Sequence, residues 1–180
     1  MKIIKTFIND LLIIEPQLFN DERGFFYESY NKNKLDKIIK MNFVQDNESK
    51  SIRGVIRGLH FQKPPFEQTK LVRCVSGEIL DIAVDLRKNS KTYGKYFSIE
   101  LSSENNKLLL VPKGFAHGFQ VLSETAIVNY KVDSFYNPKY DSGIIWNDKD
   151  LLIKWDNDIE PILSKKDLNL ETFRELKSPF

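Results

Sequence analysis

The chain has only two histidines, His60 and His117. Histidine is the side chain whose unperturbed pKa lies nearest neutrality, which makes it the default general base. His60 sits in Arg53-Gly54-Val55-Ile56-Arg57-Gly58-Leu59-His60-Phe61-Gln62, a mostly apolar run closed by Pro64-Pro65 that reads as a strand. A lone strand histidine is more often a hydrogen-bonded core or surface residue, so any chemistry depends on its company. Tyr130 shares a strand face with Val128 and Val132, an inward position from which a phenol can donate a proton in a fixed direction. Lys70 opens a strand and shares a face with Val72 and Cys74. Pinned in a cavity, its ammonium would stabilise a developing oxyanion. Arg23, Arg57 and Lys166 are each able to clamp a phosphate.

Those side chains need a scaffold, and the pattern is that of short strands. Leu11–Glu15 reads as a strand ending at Pro16, Asp21-Glu22-Arg23-Gly24 as a turn, and Phe25–Tyr30 as an aromatic strand. Asn31–Lys40 is a helix candidate with Leu35, Ile38 and Ile39 on one face, and Phe43–Ser51 is extended and polar. The clearest hairpin runs from Lys70–Val75 through Ser76-Gly77 to Glu78–Leu86. In its return strand Leu80, Ile82, Val84 and Leu86 face one side, and Asp81 and Asp85 the other. Further strands are expected at Tyr96–Leu101, Lys107–Val111, His117–Leu122 and Ala126–Asp133, and a short helix within Ser164–Leu176. Many short strands at even spacing imply an all-β sandwich or barrel. Strict alternation from Val55 to Gln62 puts Arg57 and His60 on opposite faces; both serve one cavity only if the strand bulges at Gly58.

The 180 residues suit one domain, 1–180, with enough chain to bury a core unaided. Net charge of +2 is too small, and its basic residues too dispersed, for a nucleic-acid partner. Asn9, Asp10 and Glu15 interrupt the N-terminal apolar residues, so neither a signal peptide nor a membrane span is expected. The single cysteine, Cys74, allows no internal disulfide and suits a reducing, cytoplasmic setting.

The spacing of Gly54, His60 and Gly77, followed by Pro112-x-Gly114-x-x-His117, resembles the paired motifs of the cupin barrel, a jelly-roll family. The fold class expected is therefore a cupin-type jelly roll with a few short peripheral helices. Metal-binding cupins carry a second histidine two positions after the first; here that position is Gln62. With two histidines in the chain a three-ligand metal site is not expected, and the chemistry falls to acid–base groups.

The chain carries Phe19-Asn20-Asp21-Glu22-Arg23-Gly24-Phe25-Phe26, Val44-Gln45-Asp46-Asn47 and Arg57-Gly58-Leu59-His60-Phe61-Gln62. Further on are Pro112-Lys113-Gly114-Phe115-Ala116-His117-Gly118-Phe119, Tyr130, Tyr136-Asn137-Pro138 and Leu163-Ser164-Lys165-Lys166-Asp167. Together and in this order they carry a resemblance, over nearly the whole chain, to the dTDP-4-dehydrorhamnose 3,5-epimerases. It implies a cofactor-free homodimer that inverts C3 and C5 of a nucleotide-linked 4-keto-6-deoxy sugar on the way to dTDP-L-rhamnose. It also implies His60 as base, Asp167 as the carboxylate that orients it, Tyr130 as proton donor and Lys70 beside the C4 oxygen. Arg23, Glu28, Gln45, Asp46, Asn47, Arg57, His117, Tyr136 and Lys166 fall where the family contacts its substrate, and Asp141 stands where a glutamate is usual. Alternatives are inversion at one carbon, a 3,4-ketoisomerase, a non-catalytic sugar-nucleotide binder and a metal-dependent oxygenase.

Overall fold

The computed structural model describes residues 1–37 and 39–180. In chain order the strands are β1 (Lys2–Lys5), β2 (Leu12–Glu15), β3 (Phe19–Asp21), β4 (Gly24–Phe26), β5 (Gln45–Ile52), β6 (Ile56–Gln62) and β7 (Lys70–Ser76). They continue as β8 (Glu78–Asp85), β9 (Tyr96–Ser102), β10 (Leu108–Val111), β11 (Phe115–Val121), β12 (Thr125–Val132) and β13 (Asp141–Gly143). One sheet has the order β1-β2-β10-β7-β12-β5, a second β13-β6-β11-β8-β9, and among the described residues β3 pairs only with β4. Every strand pairing is antiparallel. The molecule is all-β, as the strand pattern predicts.

Both main sheets have two buried faces over much of their area, which explains the density of apolar residues. Between them lies a core that includes Val72, Cys74, Ile79, Ala83, Leu101, Leu109, Phe115, Phe119 and Val128. The outer face of the second sheet carries Ile56, Leu59, Ile82, Val84 and Leu86, and the C-terminal chain covers it with Leu151, Trp155 and Leu176. The outer face of the first sheet buries Leu12, Ile14, Leu71, Leu108 and Leu110 beneath Leu35 and the partly buried Tyr30 and Phe43. In β8 the Leu80–Leu86 set therefore faces the C-terminal cover, while Asp81 and Asp85 point the other way and are fully buried.

Several elements differ from expectation. The helix over Asn31–Lys40 is one turn, α1 (Lys32–Leu35), with the Asn31 side chain accepting from the Lys34 amide; of its apolar face, Ile38 lies outside the described residues. The aromatic strand expected at Phe25–Tyr30 ends at Phe26. The tail forms only a 3₁₀ turn, Asp167–Asn169, and is held by packing on the second sheet.

The irregularity at Gly58 is present. Across β6 and β11, His117 pairs with His60 and Phe119 with Arg57, so three steps on β6 oppose two on β11. Gly58 has φ +128°, and a Cβ there would lie 2.6 Å from the Gly118 Cα and 2.8 Å from the His117 carbonyl oxygen. Only glycine fits this backbone at this separation. Gly58→Ala should destabilise the fold by about 2 kcal/mol or more, measured by urea unfolding. A change within ~0.5 kcal/mol would show that the bulge relaxes freely.

Candidate active site

The bulge turns Arg57 and His60 toward one cavity of ≈ 760 Å³ between the two sheets. Its wall also includes Asp46, Asn47, Lys70, His117, Tyr130, Lys166 and Asp167. His60 and His117 come from adjacent strands of the second sheet, and Lys70 and Tyr130 from the first. An imidazole and a phenol thus enter one space from facing sheets.

The His60 Nε2 lies 2.5 Å from Asp167 Oδ1. A carboxylate accepts an N–H here, which leaves Nδ1 as the ring nitrogen not engaged by Asp167 and able to take a proton. Asp167 is buried, and its backbone amide donates to Ser164 Oγ at 3.1 Å, which fixes the turn. Burial alone would raise the Asp167 carboxyl, but the hydrogen bond and charge of His60 hold it below the usual carboxylate range. Tyr130 is moved the other way. Burial raises its phenol, with Arg57 opposing and Asp141 and Tyr136 adding, so it keeps its proton at neutral pH.

Lys70 is 9% exposed, and its ammonium donates a 3.3 Å hydrogen bond to the His60 carbonyl. Burial pulls it down to about 8, against Asp81 and Asp141, which favour the charged form, and with Lys166, which does not. Sequence reasoning overlooked Asp81. Its carboxylate is fully buried and sits 2.9 and 3.0 Å from the His117 Nε2, fixing that ring at the cavity wall. In the chain it reads only as a polar residue alternating with Leu80, Ile82 and Val84.

Gln45, Tyr136 and Asp141 do not line the cavity, but Gln45 and Asp141 are bonded to Asn47 and Lys166, which do. Gln45 donates to Asn47 Oδ1 at 2.8 Å and accepts the Tyr136 amide at 3.1 Å. Asp141 accepts from the Tyr136 hydroxyl at 3.0 Å and pairs with Lys166, so the shorter carboxylate ties both residues together. Asp46 pairs with Lys131 at 2.8 Å. Arg23 and Glu28 lie elsewhere: Arg23 is exposed on the β3–β4 hairpin and paired with Asp21 at 2.6 Å, and Glu28 is held by Lys34 and Asn31. Among the described residues no group of three or more His, Cys, Asp or Glu is arranged to hold a metal ion.

A ¹³C-lysine NMR titration should place the Lys70 midpoint near 8, with Asp81→Asn lowering it further. The sign follows from charge: removing an anion disfavours the ammonium. A wild-type midpoint at the ordinary 10.5 would contradict this electrostatic picture.

The model of the dTDP-4-dehydrorhamnose 3,5-epimerase family matches residues 5–175. The dTDP-4-dehydrorhamnose 3,5-epimerase of Shigella flexneri is 51% identical over 96% of each chain. The crystal structure of the Elizabethkingia anophelis NUHP1 enzyme of that name superposes with TM-score 0.92 at 51% identity, covering 99% of this chain and 98% of that one. A dTDP-6-deoxy-D-glucose-3,5-epimerase from Legionella pneumophila, solved with dTDP-4-keto-L-rhamnose, gives TM-score 0.94 at 43% identity over 97% and 94%.

Proposed function

The chain belongs to the dTDP-4-dehydrorhamnose 3,5-epimerase family, and on that premise we propose that His60 and Tyr130 are the base and acid of its epimerisation at C3 and C5. The substrate is dTDP-4-dehydro-6-deoxy-D-glucose and the product dTDP-4-dehydro-L-rhamnose. A C4 ketone acidifies the hydrogens on C3 and C5. His60 removes one, and Asp167 stabilises the imidazolium that forms. The enolate oxygen lies against the Lys70 ammonium, whose charge counts for more in a buried site than in water. Tyr130 returns a proton from the facing sheet, and the carbon inverts. The observation that carries this reading is the entry of these two rings into one cavity from opposite sheets.

Asn47, Arg57, His117 and Lys166 hold the sugar and diphosphate, with Gln45, Asp46, Tyr136 and Asp141 at the rim. No metal or organic cofactor is assigned to the reaction. Among the described residues no helix is long and apolar enough to cross a membrane. A sugar-nucleotide substrate and a lone buried cysteine fit the cytoplasm.

Arg23 and Glu28 belong to the partner's site in a homodimer. They stand off their own cavity, and the hairpin beside them exposes Phe19, Phe25 and Phe26. An apolar patch of this kind is suited to burial against a second copy.

His60→Asn should bind substrate yet lose solvent deuterium incorporation at C3 and C5 by ~10²–10⁴-fold, followed by NMR. Undiminished exchange would sink the base assignment. Because Lys70 acts as a cation, wild-type kcat/KM should fall as pH rises through about 8. If the dimer shares its sites, mixed and reassociated His60→Asn and Arg23→Ala chains should regain roughly a quarter of the wild-type rate, the statistical share of hybrid sites with both residues intact. No recovery on mixing would place Arg23 outside the partner's cavity.

A further inference from the structure

The inner face of β5 breaks the pattern of the rest of the barrel. Strand alternation puts Gln45, Asn47, Ser49 and Ser51 on one side, and that side is the more buried one. Their partners on β12 are Val132, Tyr130, Val128 and Ala126. A strand facing a core normally offers apolar residues there, so this polar stripe is unlike its neighbours. Two of its members have places already. Gln45 and Asn47 bond one another at the rim, with Asn47 opposite Tyr130. Ser49 and Ser51 continue the same face beyond them.

Ser51 is buried, and its Oγ accepts the Arg57 Nε–H at 3.0 Å. That contact uses the inner nitrogen of the guanidinium. Among the described residues Arg57 forms no ion pair, so its terminal amino groups remain for a ligand in the cavity it lines. Ser49 also lines the cavity, and its Oγ is buried with no hydrogen-bond partner among the described residues. A buried hydroxyl without a partner is costly, and a wall position that keeps one is accounted for when a ligand supplies the acceptor.

Position along the strand identifies that acceptor. Ser49 is one alternation beyond Asn47, between the level of Tyr130 and that of Ser51 with Arg57. We propose that Ser49 donates its hydroxyl to the diphosphate of the nucleotide sugar, and that Ser51 is a positioning residue that aims Arg57 at the same group. This rests on the epimerase reading, because a keto sugar held between His60 and Tyr130 must send its diphosphate along this wall to reach Arg57. The step is binding only, and neither serine touches the reacting carbons.

The test is calorimetric titration of thymidine 5′-diphosphate, inorganic pyrophosphate and thymidine into the intact protein. Ser49→Ala should weaken the diphosphate and pyrophosphate about 5- to 30-fold and leave thymidine unchanged. KM should rise by the same factor with kcat within about twofold, since the lost contact is equal in ground and transition states. Ser49→Thr, which keeps the hydroxyl, should restore most of the binding. Ser51→Ala should weaken the diphosphate in wild type but not in an Arg57→Ala background, whereas the Ser49→Ala loss should persist there. The proposal is overturned if Ser49→Ala binds pyrophosphate as wild type does, or loses thymidine equally. A Ser51→Ala loss undiminished without Arg57 overturns the positioning role. The binding arms need no turnover, so a wild type that binds the diphosphate but exchanges no deuterium overturns the epimerase reading alone.

Discussion

The site depends on one backbone irregularity. A regular β6 would put Arg57 and His60 on opposite faces of its sheet, the anion-holding cation on one side and the base on the other. The bulge between them brings both into the cavity, and only glycine at position 58 leaves room for Gly118 on the neighbouring strand. Once β6 is placed, the rest follows from packing. β13 pairs with its far edge, and the C-terminal chain lies on its outer face and delivers Asp167 to His60. The base therefore owes its strand to the barrel and its orienting carboxylate to a segment 107 residues later.

The electrostatics follow a single logic. Each histidine of the cavity wall is held by a buried carboxylate: His60 by Asp167 and His117 by Asp81. Lys70 has no carboxylate within ion-pair distance among the described residues; the His60 carbonyl accepts its hydrogen bond, and Asp81 and Asp141 act on it at longer range. This leaves an ammonium near its titration point and available to an oxyanion. Tyr130, kept protonated by burial, and His60, with one nitrogen held by a carboxylate, are suited to opposite roles in proton transfer.

Much of this was legible in the chain. The β7–β8 hairpin lies within a residue or so of where alternation and Gly77 place it, because both strands have a periodic pattern and a turn residue that admits few other structures. The Gly58 bulge was readable because two residues with chemistry to do stood at the wrong parity. Less legible were β1, β3 and β13, which are three or four residues long and too short to show a period. The expected helix stops at Leu35 because it is fixed by what packs on the first sheet, not by its own propensity. Asp81 and the β5 serines were missed for a related reason. Polar residues in alternation read as a solvated face, and nothing local says that this face lines a cavity.

The central claim is that inversion needs a phenol on the sheet facing the imidazole. The most direct measurement is turnover of Tyr130→Phe with dTDP-4-dehydro-6-deoxy-D-glucose in deuterated water, following label and configuration together by NMR. With His60 and Lys70 intact, the account predicts that deuterium enters beside the ketone with configuration largely retained. Inverted product formed at the wild-type rate would contradict it.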